Sequence, residues 1–219
     1  MKYPDLRSCI LFSPSRVYRG TMNATAYCIG IAMADEKTEI ARGLRRRDPD
    51  LLDRLIEEYQ HRLLRYLVYL TGQREQAEDF FQETWIRVLE RGHQYDGRHE
   101  FSTWLFTIAR NLVFDSLRRR RGVTIESLTA GDDALPFDLP SSNWPTAFDS
   151  AVQREQNELI SAGLKHLTVE YREALVLRFQ EGMSLDEIAI VTGVPLGTVK
   201  SRIYRGLSMM EPWVKGASL

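Results

Sequence analysis

Apolar positions return every three or four residues along most of this chain, and the places where that rhythm stops divide it into modules. Leu51, Leu52, Leu55, Ile56, Tyr59, Leu63, Leu64, Tyr66 and Leu67 predict a helix that begins near Asp48-Pro49. There the aspartate can cap free amides, and the proline occupies a first-turn position that needs no N–H. After Thr71-Gly72, the stripe Ala77, Phe80, Phe81, Trp85, Val88 and Leu89 predicts a second helix from about Arg74 to Arg91. A polar loop, Gly92 to Glu100, precedes a third helix from about Ser102 to Arg121, with Leu105, Ile108, Ala109, Leu112 and Leu117 on its apolar face. Residues 1–40 show no clear period. They are expected to be poorly ordered, or to reflect a start placed too far upstream, with Met22 or Met33 as alternatives.

The rhythm stops again over residues 122–150, where Gly131, Pro136, Pro140 and Pro145 alternate with Glu126, Asp132, Asp133, Asp138 and Asp149. Such a segment reads as a linker. Helical pattern resumes around Phe148, continues through Leu164 and Leu167, and predicts a helix from about Glu170 to Gln180. Beyond Gly182 two short helices follow. Ser184 and Glu187 form an S-x-x-E capping box, Ile188 and Val191 face inward, and Ala189 is small enough for a neighbouring helix to approach. Gly193 can adopt the positive φ of a tight turn, and Pro195 opens the next helix. Val199, Ile203 and Leu207 then share one face of that helix, while Lys200, Ser201, Tyr204 and Arg205 share another. This is a helix-turn-helix whose exposed side can hold phosphates and read base edges. No strand pattern or internal repeat is visible. The expected fold is all-α, with two small helical domains joined by a flexible acidic linker. The expected boundaries are an extension over 1–41, a first domain over 42–121, a linker over 122–150, a second domain over 151–212 and a tail over 213–219.

Charge sharpens this division. The net charge of −1 argues against a nucleic-acid binder only until its distribution is considered. Residues 123–163 hold seven Asp and Glu against one Arg, whereas 42–122 hold sixteen Arg against thirteen acids. An acidic connector thus masks two mildly basic modules, as suits two DNA-facing units joined by a segment that avoids DNA. Cys9 and Cys28 match neither a redox pair nor a zinc knuckle, so a reduced, intracellular protein is expected. No apolar run approaches the ~20 residues of a membrane span. The short run Cys9 to Phe12, ended by Ser13-Pro14, makes a weak signal peptide. His61, His93, His99 and His166 are scattered, and no nucleophile–base pair, metal cluster or phosphate-cradling glycine loop is present. No enzyme activity, cofactor or metal is therefore expected.

Two motifs carry a family resemblance. Glu78-Asp-Phe-Phe-Gln-Glu-Thr-Trp-Ile-Arg-Val-Leu89, followed by Phe101-Ser-Thr-Trp-Leu-Phe-Thr-Ile-Ala-Arg-Asn111 and the helix to Arg121, resembles the second region of bacterial RNA polymerase sigma factors. Leu167-Thr-Val-Glu-Tyr-Arg-Glu-Ala-Leu175 and the helix-turn-helix resemble their fourth region. With only these two regions and a short linker, the chain resembles the extracytoplasmic-function (ECF) subfamily over about 42–121 and 155–210. The resemblance implies that Asp79, Gln82 and Glu83 meet core RNA polymerase; read from the pattern alone, they are equally a solvated helix face. It implies that the third helix and the loop before it open and hold the promoter's minus-ten element. The loop Tyr95–Glu100 captures a flipped base, Tyr95 and Phe101 belong to the melting surface, Asn111 reads a base edge, and Arg110, Arg118, Arg119, Arg120 and Arg121 meet phosphates. Trp104 fits a core position better than a melting wedge. The arginine run alone would also be an ordinary solvated helix end.

By the same resemblance, Thr198, Lys200, Ser201, Tyr204 and Arg205 contact the minus-thirty-five element, with Arg202 on phosphate. The implied partners are core polymerase, promoter DNA and an inhibitory anti-sigma factor, in the bacterial cytoplasm. Two features depart from the family: the forty-residue extension is long, and Thr168 stands where a proline often follows the leucine. Two other readings are a stand-alone helix-turn-helix regulator, with residues 42–121 as a sensing or dimerising bundle, and a decoy that holds polymerase without opening DNA.

Overall fold

In each module one helix is begun by a side chain that satisfies amides left without partners. In the first, Asp48 Oδ1 accepts from the amides of Asp50 at 3.1 Å and Leu51 at 3.4 Å, with Pro49 in the first turn. In the second, Ser184 Oγ accepts the Glu187 amide at 3.2 Å, and Glu187 Oε2 accepts the Ser184 amide at 2.8 Å. The structure is a computed structural model that describes residues 25–121 and 160–216, with side chains over 36–119 and 160–213. The linker expected over 122–150 and residues 1–24 lie outside the described residues, as do the side chains of Arg120 and Arg121 and, except for the side chain of Trp213, those of the tail.

The first module runs α1 (Thr25–Arg46), α2 (Pro49–Thr71), α3 (Arg74–Arg91), a 3-10 turn (Gly92–Gln94) and α4 (Phe101–Arg121). Gly72, at φ 74°, ends α2 in the left-handed conformation and donates its N–H to Val68 O. α1 differs from the expectation for residues 1–41, since a single helix reaches back to Thr25. Among its described side chains only Ala41 and Leu44 are buried, so it leaves no repeating apolar stripe in the sequence.

The second module comprises a helical stretch over residues 160–165, α5 (Val169–Leu175), a π-helical turn (Val176–Gln180), α6 (Leu185–Thr192) and α7 (Leu196–Gly216). The helix expected over 170–180 therefore widens half-way, and the Glu181 amide bonds to Val176 O at 3.1 Å. Gln180, the last residue of that widened turn, and Glu181, the next, both reach across to α2. Gly193 takes φ 67° between the two helices of the helix-turn-helix. No strand occurs among the described residues.

Buried side chains of both modules belong to one contact cluster. Leu63, Tyr66, Leu105 and Phe106 are enclosed in the first, and Leu177, Ile188, Val191 and Val199 in the second. Enclosing a side chain of this size stabilises by about 1.5–3 kcal/mol. α2 packs on α5, and α4 lies along α6, so the two modules share a junction.

The capping box gives the first testable consequence. Ser184→Ala is expected to cost about 1 kcal/mol, lowering the urea midpoint without changing the slope of the transition. Ser184→Thr, which keeps the acceptor oxygen, should retain most of that stability.

Candidate nucleic-acid interface

α7 presents its polar face as the periodicity predicts. Val199 and Ile203 are buried, while Lys200 and Arg205 are exposed and Tyr204 retains 74% of its surface. Thr198, Ser201 and Arg202 lie half-buried along the edge. Arg202 is half-buried, with Nη1 enclosed and its charge acting on the Glu173 carboxyl.

The loop before α4 is braced from beneath by aromatic rings. Tyr95 and Phe101 are each 2% exposed and meet edge-on, with centroids 5.7 Å apart. Trp104 packs 5.4 Å from Tyr95 and 5.9 Å from Phe101. Tyr95 donates its hydroxyl to His99 O at 2.9 Å, and burial, with Glu100, Asp96 and Glu36 nearby, pushes that hydroxyl up to about 12. It therefore stays protonated and remains a donor at neutral pH. Asp96 Oδ1 accepts the Arg98 amide at 3.0 Å, Gly97 takes φ 75°, and Lys37 of α1 pairs with Glu100. Tyr95 and Phe101, expected on the melting surface, support the loop from inside. The side chains that reach solvent are Asp96, Arg98 and His99. The sequence signal for Arg98 and His99 was their place beside Gly97, the turn residue of the loop.

Along α4, Asn111 is exposed, Arg119 Nε donates to Asp115 O at 3.3 Å, and Arg118 pairs with Asp115 at 3.5 Å. Arg110 differs from the expectation of a phosphate contact. Its Nε donates to Glu173 Oε1 at 2.9 Å across the junction, and its guanidinium lies 4.1 Å from the centroid of the Phe114 ring. Glu173 is fully enclosed and also accepts the Tyr66 hydroxyl at 2.9 Å. Burial pushes its carboxyl up, against the downward pull of Arg110, Tyr66 and Arg202.

On α3, Asp79 and Gln82 are exposed, while Glu83 is tied to Arg87 at 2.9 Å. Ile86 and Leu89 lie on the same helix at 48% and 46% exposure. Leu89 is not part of the buried stripe that the sequence suggested, because α3 buries only Ala77, Thr84, Trp85 and Val88. An open cleft beside this face is lined by Phe80, Glu83, Arg87, Leu112, Ser116 and Arg119.

Residues 55–123 match the Sigma-70 region 2 family and residues 157–210 match Sigma-70 region 4. The ECF RNA polymerase sigma factor SigW of Bacillus subtilis is 30% identical, over 73% of this chain and 86% of its own length. This chain is an ECF sigma factor. SigE of Mycolicibacterium smegmatis, another ECF sigma factor, is 35% identical over 74% of this chain, which spans 61% of that longer protein. Two solved sigma factors share the fold. One is RpoE with the anti-sigma factor NepR from Bartonella quintana (TM-score 0.56, 23% identity, 74% of this chain and 96% of that one). The other is CnrH with the cytosolic domain of CnrY (TM-score 0.54, 18% identity, 84% and 98%).

In this sigma factor the region 2 match contains α3, the loop and α4, and the region 4 match contains the helix-turn-helix. Among its described residues no helix is long and apolar enough to cross a membrane, and no group of three or more His, Cys, Asp or Glu is placed to hold a metal. Thr103 Oγ1 of α4 donates to Glu187 Oε1 at 3.3 Å, so the capping box of region 4 also contacts region 2. Burial raises the Glu187 carboxyl, but hydrogen bonds from the Ser184 side chain and amide and from Thr103, with Lys37 nearby, leave it below its usual value.

A depressed carboxylate stabilises the fold fully above its unfolded pKa and loses that contribution as pH falls through its folded value. Stability is therefore expected to fall with acid from about pH 4.3 downward. Glu187→Gln should flatten that part of the urea-midpoint profile; an unchanged profile would rule out this ionisation as its source.

Proposed function

We propose that this chain is a dissociable initiation subunit that binds core RNA polymerase, directs it to a restricted set of promoters and helps separate the DNA strands. The observation that carries this reading is a pair of separate nucleic-acid faces on one chain. One is the exposed Lys200, Tyr204 and Arg205 on α7; the other is Asn111, Arg118 and Arg119 on α4 beside the braced loop. The exposed α7 side chains suit the grooves of an intact duplex. The α4 and loop face suits a strand whose bases have left the stack, with Arg98 and His99 added as contacts on the loop.

The first domain, over 42–121, docks on polymerase through α3. Asp79, Gln82 and Glu83 form the polar part of that surface, and the exposed Ile86 and Leu89 form its apolar part. The second, over 151–212, engages the upstream element. Tyr95, Phe101 and Trp104 position the loop. The protein performs no catalysis of its own and works in the cytoplasm, where polymerase and DNA are. An anti-sigma factor would restrain it, as NepR and CnrY are found with the sigma factors named above.

Run-off transcription from a promoter library, with core polymerase and with or without this protein, tests the reading. Protein-dependent transcripts from a restricted promoter set are expected. Asn111→Ala with Arg118→Ala and Arg119→Ala should abolish permanganate reactivity of unpaired thymines while leaving polymerase binding intact. Ile86→Asp with Leu89→Asp should weaken polymerase binding at least tenfold. Lys200→Ala and Arg205→Ala should each reduce the salt dependence of holoenzyme–promoter binding by a slope of about 1. Tight, specific duplex binding by the free protein, without polymerase, would instead favour a stand-alone regulator.

A further inference from the structure

α1 touches the loop before α4 at both ends, although it lies wholly ahead of the residues that match region 2. Lys37, Ala41 and Leu44 share one face of α1 at helical spacing, and Leu44 stands two turns, about 10.5 Å, beyond Lys37. At the Leu44 end, a Cβ on Gly92 would stand 3.1 Å from Leu44 Cβ and 3.3 Å from Leu44 O, so the chain leaves α3 pressed against α1. At the Lys37 end, Gly97 holds φ 75°, and a Cβ there would stand 3.4 Å from Lys37 O. The Lys37 ammonium then pairs with the Glu100 carboxylate. One residue thus meets the loop on each side of Arg98 and His99, with its backbone at Gly97 and its side chain at Glu100. In the same stretch Tyr95 ties down His99 O at 2.9 Å, and Glu100 O accepts the Trp104 amide at 3.3 Å to open α4. Arg98 and His99 therefore keep exposed side chains on a backbone that is held before and after them.

We propose that Lys37 is a positioning residue for base choice in the minus-ten element: through Gly97 and Glu100 it fixes where Arg98 and His99 meet the unstacked strand. The inference rests on the function proposed above. A donor held in place discriminates because a mismatched base leaves it unpaired, whereas a loop free to shift finds other partners. The ion pair contributes little to folding, since Lys37 and Glu100 retain 24% and 37% of their side-chain surface and solvent screens the attraction. Its effect is on placement. Lys37 also acts on the Glu187 carboxyl. That influence bears on stability, so base preference within the holoenzyme isolates the role of Lys37 at the loop.

The test is run-off transcription by the holoenzyme from promoters randomised across the minus-ten element, with the base ratio read at each position. Lys37→Met should lower the preference for the favoured base, at the position that meets the loop, about two- to tenfold, the range set by ordering one side chain. The remaining positions and the minus-thirty-five element should be unaffected. Lys37→Arg, which keeps the cation, should preserve the preference. Glu100→Gln provides an independent variant and reads the same ratios even if Lys37→Met does not fold. The two substitutions change the local charge in opposite directions, so an effect through attraction for phosphate has opposite signs in them, whereas positioning lowers the same preference in both. Their combination should lose no more than either alone. Unchanged base ratios, a uniform loss of transcription from every sequence, or opposite effects of the two substitutions would overturn the role, as would an equal loss in Lys37→Arg. Absence of any transcript that depends on the unsubstituted chain would overturn the function proposed above and this role with it, whereas a transcribing holoenzyme whose base ratios ignore Lys37 and Glu100 removes the role alone.

Discussion

A fully enclosed carboxyl group needs donors beside it, and at Glu173 this demand organises much of the molecule. Its donors come from α2 and α4, and Arg202 of α7 adds positive charge. Four helices are thus positioned around one side chain. Breaking such a group by removing one donor is far more damaging than the net value of any one bond suggests, because the remaining charge stays in a poor solvent. Tyr66 is consequently fixed on both sides, with its ring 4.8 Å from Phe106 and its hydroxyl on the carboxylate.

The same economy of parts shapes the two surfaces that face outward. On α7, burying Val199 and Ile203 rotates Lys200, Tyr204 and Arg205 into solvent, so packing and presentation follow from one helical period. In the loop before α4, presentation is indirect. Three aromatic rings form a floor, a tyrosine hydroxyl ties that floor to a backbone carbonyl, and a left-handed glycine turns the chain so that Arg98 and His99 project. A loop braced in this way loses little further conformational freedom on meeting a nucleotide.

Helix limits set by local chemistry were legible in the sequence. The Asp48 cap, the Thr71-Gly72 stop, the Ser184–Glu187 box and the Gly193 turn all act within a few residues of themselves. The family resemblance was legible too, because both motifs lie within single helices or adjacent ones. Less legible was anything decided between modules. Arg110 is an exposed cation by local pattern and a half-buried ion-pair partner only because Glu173 arrives from 63 residues away. Leu89 fits an apolar stripe, yet α3 needs only a narrow stripe to cover its neighbours. The π turn at Val176–Gln180 and the reach of α1 back to Thr25 likewise depend on what those segments pack against, for which periodicity gives no signal.

Arg172 shows how differently the contacts across this junction would respond to sequence drift. Its guanidinium donates to the carbonyls of Leu164, Leu167 and Tyr69, at 2.8–2.9 Å. Burial lowers its pKa to about 10, which leaves it cationic at neutral pH. A backbone carbonyl is present whatever side chain stands beside it, so these three bonds place no demand on the identity of their acceptors. The Tyr66 hydroxyl and the Glu173 carboxylate, 107 residues apart, have no such freedom. Homologues that keep this junction should therefore vary at 66 and 173 as a pair while holding Arg172 alone, whereas homologues that dispense with it are released from the pairing.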